Sequence, residues 1–219
     1  MIFPLSALLA FATALVPSTS GAISDNWVGY VQPDGFYTSV GAEWTIPVLV
    51  CPAKGVTEVA DWVGVNGWGA NADIFQAGTI SECSNGVQTN WGFWTDQYNN
   101  DVAQPVLEVA TGDVVYARVW QRASGYWSYS VRDTTSKASS SAPEPSAYGR
   151  GVTAETIAED PANMALDKPF TLADFGKTTF SHVTPSLVGA RAVAMIPPDG
   201  IPLAMPGDPV SSTFQVTFN

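Results

Sequence analysis

Short runs rich in Trp, Tyr, Val, Thr and Phe recur along this chain between clusters of Gly, Pro, Asn and Asp, and few stretches carry the 3.6-residue apolar period of a helix. Such a chain has to fold as strands. The runs predict strands over 26–32, 37–48, 59–66, 73–80, 89–97, 106–109, 114–121, 126–132, 153–159, 178–183, 190–195 and 213–218. That number of strands implies an all-β fold of two stacked sheets. With 219 residues, 46% of them apolar and only 13% charged, the chain suits one loop-punctuated core and excludes a disordered segment or a coiled coil. The clearest hairpin runs from 114–121 through Arg122-Ala123-Ser124-Gly125 into 126–132, both arms alternating and carrying opposed aromatics. Residues 139–146 read as a loop, a candidate flap over one sheet. No internal repeat or domain linker interrupts the pattern.

Charge and residue inventory then remove function classes. Nine Lys and Arg stand against 20 Asp and Glu, a formal charge of -11 that repels phosphate backbones and excludes a nucleic-acid partner. The single histidine, His182, leaves no His-rich zinc site, so no metal is expected. No G-x-S-x-G places a serine on a nucleophile elbow. No Asp-Thr-Gly or Asp-Ser-Gly supports a pepsin-like pair of aspartates. Carboxylates and amides remain.

Residues 1–22 read as a secretory signal peptide: an apolar run from Ile2 to Val16, too short to span a bilayer, then small residues and cleavage after Ala22. A buried N-terminal helix is the alternative, and the segment before the apolar run lacks Lys and Arg. Residues 23–219 then form one secreted, extracellular domain, expected to be a monomer free of the membrane. Export favours a disulfide between the only two cysteines, Cys51 and Cys83. Closing that loop is worth ~3.7 kcal/mol in the chain-entropy model. Two free buried thiols are the alternative.

Three polar residues stand out on strand-like runs. Glu155 and Glu159 share one face of 153–159 and are expected to look outward together. Their Cα atoms, at about 3.3 Å per residue, lie ~13 Å apart, beyond the carboxyl spacing of a glycosidase. Gln76 alternates with Phe75 and Ala77, which puts it on the face opposite two apolar side chains, the outer face of a sheet. By themselves these residues fit solvated carboxylates and a satisfied amide.

Several segments together resemble the eqolisins, or glutamic peptidases. They are Asn26-Trp27-Val28-Gly29, Tyr37-Thr38-Ser39-Val40 with Trp44-Thr45-Ile46-Pro47, Trp62-Val63-Gly64 fourteen residues before Gln76 in Gln-x-Gly, Ala154-Glu155 with Ile157 and Glu159, and Leu172-Ala173-Asp174-Phe175-Gly176 leading to Thr179-Phe180. The resemblance implies a two-sheet antiparallel, lectin-like β-sandwich with a concave groove and a secreted acid endopeptidase acting on protein or peptide substrates. It also implies a catalytic dyad on Gln76 and Glu155, with Trp62 near the groove floor, and no cofactor. In such a dyad Glu155 takes a proton from water, Gln76 holds the water and donates to the oxyanion, and Glu155 then protonates the leaving amine, without metal or covalent intermediate. Two positions depart from the family pattern. Asn66, grouped with Trp62 as substrate-binding, replaces an acid, and Thr156 replaces a Trp, removing aromatic surface expected to pack next to Glu155. Inactive peptide- or carbohydrate-binding sandwiches and glycan-cleaving enzymes are the competing classes.

Overall fold

The computed structural model describes residues 21–33, 35–69, 74–96, 100–141, 149–163, 168–169 and 171–219. The apolar leader and most of the 139–146 segment lie outside them. Among the described residues there is no helix. All twelve predicted strands are present, Val114–Gln121 with the expected bounds and the others shifted by a few residues. The largest shift is at the strand expected over 106–109, which is Asn100–Glu108. Pro105 hid its first half, and a proline is tolerated there because this strand ends the sheet path.

The path is nearly all antiparallel. From one edge it runs through Ser139–Ser141, Trp127–Asp133, Val114–Gln121, Ser39–Thr45 and Lys177–Thr184. It continues through Phe214–Phe218, Ala204–Pro206, Arg191–Met195, Trp27–Gln32 and Ala154–Glu159, and ends on Val56–Val65, Phe75–Ser84, Val87–Asp96 and Asn100–Glu108. Folding this path over itself gives the sandwich. Sequence patterning missed the shortest pieces, such as Ser139–Ser141, expected as loop, and Ala22–Ser24, which pairs in parallel with Arg191–Met195. Two or three residues carry no measurable alternation.

The hairpin Val114–Gln121 with Trp127–Asp133 forms as expected, but its aromatics do not face one another. Trp127 and Tyr129 turn into the core, whereas Tyr116 and Trp120 sit on the other face, because odd and even positions point to opposite sides.

The main core fills the space between the layers. Trp94 stacks on Tyr129 across it at 5.3 Å, and Phe75 faces Trp127 at 6.5 Å. Trp44 packs on Phe180, and its indole Nε1 donates to the Thr79 hydroxyl at 2.9 Å, so the one polar atom on that buried ring is paired. Cys51 and Cys83 form the expected disulfide, with Cα atoms 5.3 Å apart, tying the loop after Ser39–Thr45 to the end of Phe75–Ser84.

A second apolar cluster lies on the far side of the long strands: Ala60, Trp62, Ile80, Phe93, Ile157 and Val193 with Val31 and Ile74. Period-2 alternation explains the split. On Val56–Val65, Val59, Val63 and Val65 join the main core, and Ala60 and Trp62 join the second cluster. This second face carries the candidate site.

Candidate active site

Strand register brings the two dyad candidates into one cross-strand row. Thr95 pairs with Gln76, Gln76 with Gly64, and Gly64 with Glu155, which pairs in turn with Val31. Residues directly opposite on adjacent strands share a face, so Thr95, Gln76 and Glu155 all present their side chains on the second face. Gln76 and Glu155 are two strands apart, ~9.6 Å at the usual strand spacing. The position between them is a glycine.

Gly64 is required there. A Cβ on it would stand 3.1 Å from Gln76 Cβ, 3.0 Å from Trp62 Cζ3 and 3.1 Å from the Phe75 carbonyl oxygen. Ordinary cross-strand Cβ pairs are ≈ 4.5–5.5 Å apart, so Gln76 leans over Gly64 into room that only a glycine leaves. Sequence reasoning quoted Gly64 as part of a motif without assigning it this role. Its position two residues after Trp62, on the same strand face, was the available signal.

The second face is not an outward, solvated surface, which corrects the expectation for the two glutamates. Glu155 and Glu159 do share it, but Glu155 is 0% exposed, and Gln76 is 9% exposed rather than lining an open sheet face. Alternation fixes which side a residue takes; it is silent on whether other apolar residues cover that side. Here Trp62, Ile157, Phe93 and Val31 do.

The turn after Val56–Val65 holds Glu155 in place. Asn66 adopts a left-handed conformation, φ 68°, which asparagine tolerates better than most residues. Its Oδ1 accepts the Val152 N–H at 2.8 Å, and the following Gly67 N–H donates to Glu155 Oε1 at 3.2 Å. Asn66 therefore straps the turn to the segment leading into Glu155. Its side-chain oxygen is engaged within the protein, a positioning contact that needs no charge.

Burial pushes the Glu155 carboxyl up to about 7. The backbone N–H groups of Gly67 and Trp68 pull it part of the way back, and the adjacent Thr153 hydroxyl pulls the same way without reaching hydrogen-bonding geometry. The other carboxylate oxygen, Oε2, has no partner among the described residues, and neither do Gln76 Oε1 and Thr95 Oγ1. Three side chains of a single row thus each carry a buried polar atom without a partner. Buried polar groups in folded proteins are nearly always paired, so a run of exceptions marks a place built to receive hydrogen bonds from something else.

Trp62 is fully buried beneath this row rather than open to solvent. Its Nε1 donates to Glu159 Oε2 at 2.7 Å, and Asn26 Nδ2 donates to Glu159 Oε1 at 3.0 Å. Glu159 is therefore an anchor for Trp62. Trp27 meets Trp62 edge-on at 4.9 Å and lies 6.4 Å from Trp68. Trp27 and Trp68, with Ser24, Asn26, Gly67 and Gly69, line a cavity of about 410 Å³ next to the turn that supports Glu155. None of Asn26, Trp27, Trp68 or Gly67 was assigned to the site from sequence. Thr156, the departure expected to strip packing from Glu155, is buried on the opposite side of its strand, facing the main core between Tyr30 and Val63. Among the described residues no group of His, Cys, Asp and Glu is arranged to hold a metal ion.

Solved structures share this architecture. Scytalido-glutamic peptidase, bound to a peptide-based transition state analog, superposes with a TM-score of 0.73 at 20% identity, covering 89% of this chain and 98% of that one. SCP-B, a member of the eqolisin family in complex with the tripeptide Ala-Ile-His, gives 0.71 at 18% identity, covering 89% and 98%. Aspergilloglutamic peptidase from Aspergillus niger gives 0.64 at 20% identity, covering 74% and 99%. No curated protein matches the chain. At these identities the superpositions establish the β-sandwich. The family model of the Peptidase A4 family matches residues 25–195, a span that holds the whole Thr95–Gln76–Gly64–Glu155 row. By that match the chain belongs to the Peptidase A4 family of peptide hydrolases.

Proposed function

We propose that this protein is a secreted endopeptidase working on the acid side of neutrality, with Glu155 and Gln76 as its catalytic pair. The observation that carries the assignment is the row across Gly64, in which a buried carboxyl and a buried amide face one gap and each keeps an unpartnered oxygen. A water in that gap can donate one hydrogen to Glu155 Oε2 and the other to Gln76 Oε1. As its oxygen attacks the scissile carbonyl carbon, Glu155 takes the proton and the carbonyl oxygen becomes an oxyanion, to which the Gln76 amide N–H donates. Collapse of the tetrahedral intermediate breaks the C–N bond. The proton on Glu155 passes to the departing nitrogen, which restores the carboxylate.

The substrate peptide is held in the groove of the second face, with the cavity between Trp27 and Trp68 beside the reacting bond. A water donating to Oε2 stabilises the carboxylate, so the working pKa of Glu155 lies below about 7 and above the ≈ 4.3 of a solvated glutamate. Digestion of a denatured protein at about pH 5.5, with wild type and Glu155→Gln side by side, tests the proposal. Cleavage by the first and not by the second is expected. Equal cleavage by both removes Glu155 from the mechanism.

A further inference from the structure

The same strand that carries Trp62 and Gly64 on its groove face carries a carboxyl in the main core. Asp61 sits between the layers, flanked along the strand by Val59 and Val63, and is 2% exposed. Its cross-strand neighbours are Thr79 and Ala158. From the opposite layer the Thr178 hydroxyl donates to Oδ2 at 3.3 Å, and Oδ1 has no partner among the described residues. Thr79 already accepts the Trp44 indole N–H. No cation faces Asp61 from any of these strands, and no charged neighbour contributes to its ionisation. The other buried carboxyls of this region answer to different neighbours: Glu58 to Glu82 opposite it and to Asp160, and Asp160 to Glu159. A neutral carboxyl can be buried here at modest cost, whereas an unpaired carboxylate cannot.

We propose that Asp61 is a proton-dependent latch between the two sheets: protonated, it lets the layers close over it through Thr178, and ionised, it loosens that closure and with it the strand that positions the catalytic row. The protein would thereby lose its competent fold as it leaves an acidic compartment. Burial holds Asp61 at about 7, far above the ≈ 3.9 of a solvated aspartate. The folded value exceeds the unfolded one, so the stability tied to this group is complete below about pH 4, falls from there to about pH 7, and then levels off. The surplus of surface acids also disfavours the fold at high pH, but that repulsion is long-ranged and screened by salt, while a buried carboxyl is not.

Melting curves of the full chain from about pH 3.5 to 8, at about 0.1 M and 1 M salt, test the latch without reference to catalysis. Wild type should melt progressively lower between pH 4 and 7 at both salt concentrations. Asp61→Asn, and Asp61→Val as a second removal of the titrating group, should flatten that decline and melt ~5–10 °C above wild type at pH 7. The conservative Thr178→Val leaves the carboxylate without its donor and raises the folded value further, so its decline should begin at the same pH as in wild type and continue to higher pH. A wild-type decline that vanishes in 1 M salt overturns the latch, as does an unchanged decline in the Asp61 variants or, should these not fold, in Thr178→Val. Asp61→Asn should keep peptide cleavage at about pH 5.5, so its melting behaviour and the activity of Glu155→Gln can fail independently.

Discussion

The two faces of the Val56–Val65 strand solve opposite problems. Toward the core, Val59, Val63 and Val65 pack into a space where an indole N–H finds a threonine hydroxyl across the layers and aromatic rings stack on one another. On the groove side, Trp62 and Gly64 border a row in which three buried side chains keep polar atoms unpaired. Both faces are buried, and both are lined with aromatics. They differ in what is left unfinished: the core side of this strand has isolated exceptions at Thr57 and Asp61, and the groove face gathers its unpartnered atoms in one row, which the proposed mechanism fills with a substrate and a water. Burial alone therefore does not mark the site. Burial combined with unmet hydrogen-bonding capacity along one row does.

The comparison can be broken at several points. The largest effect is expected from the groove row. Gln76→Ala, which removes the proposed oxyanion donor and leaves the core face untouched, should lower kcat about 100- to 1000-fold with little change in melting temperature. A large fall in melting temperature accompanying the loss would make Gln76 a structural residue. Gly64→Ala comes next, because its methyl group would press on Gln76, Trp62 and a carbonyl oxygen. It should cost both activity and ~1–3 kcal/mol of stability, measured by denaturant unfolding. A neutral result would show that the gap is wider than the strand register implies.

A core-face change should do the reverse. Trp44→Phe keeps most of the ring but leaves the Thr79 hydroxyl without its donor, and should cost ~1–3 kcal/mol of stability at unchanged kcat. Glu159→Gln is expected to matter least. It keeps an acceptor for the Trp62 indole and the same size, so turnover should fall less than tenfold, as measured in the same cleavage assay.

How much of this was legible in the sequence follows from the physics of each feature. Alternation around Trp62, Gln76 and Glu155 gave the strands and the sides their residues take, since period 2 is local. The parity that put Gln76 opposite Phe75 and Ala77 holds in the fold. Whether that side was open depended on coverage by Trp27, Phe93 and Val31, which come from strands distant in sequence, and so Glu155 was expected in solvent and is buried. The row across Gly64 depends on strand order as well as register, neither of which any single segment encodes. Asn66 shows the same limit in another form. Its place in the family pattern grouped it with Trp62 as substrate-binding, and no local pattern announced the left-handed turn in which its side chain reaches Val152 and the Gly67 N–H is presented to Glu155.

The pH dependence of cleavage tests most directly whether the unfinished groove row is the catalytic one. Glu155 must be ionised to accept a proton from water, so kcat/KM should rise with pH on its acid limb, with a midpoint above ≈ 4.3 and below about 7, reflecting a buried carboxyl partly relieved by water. Glu159→Gln should keep that limb, and Glu155→Gln should abolish cleavage across the whole range. A limb that stays in place when Glu155 is replaced, or equal losses for the two glutamate variants, would contradict the account.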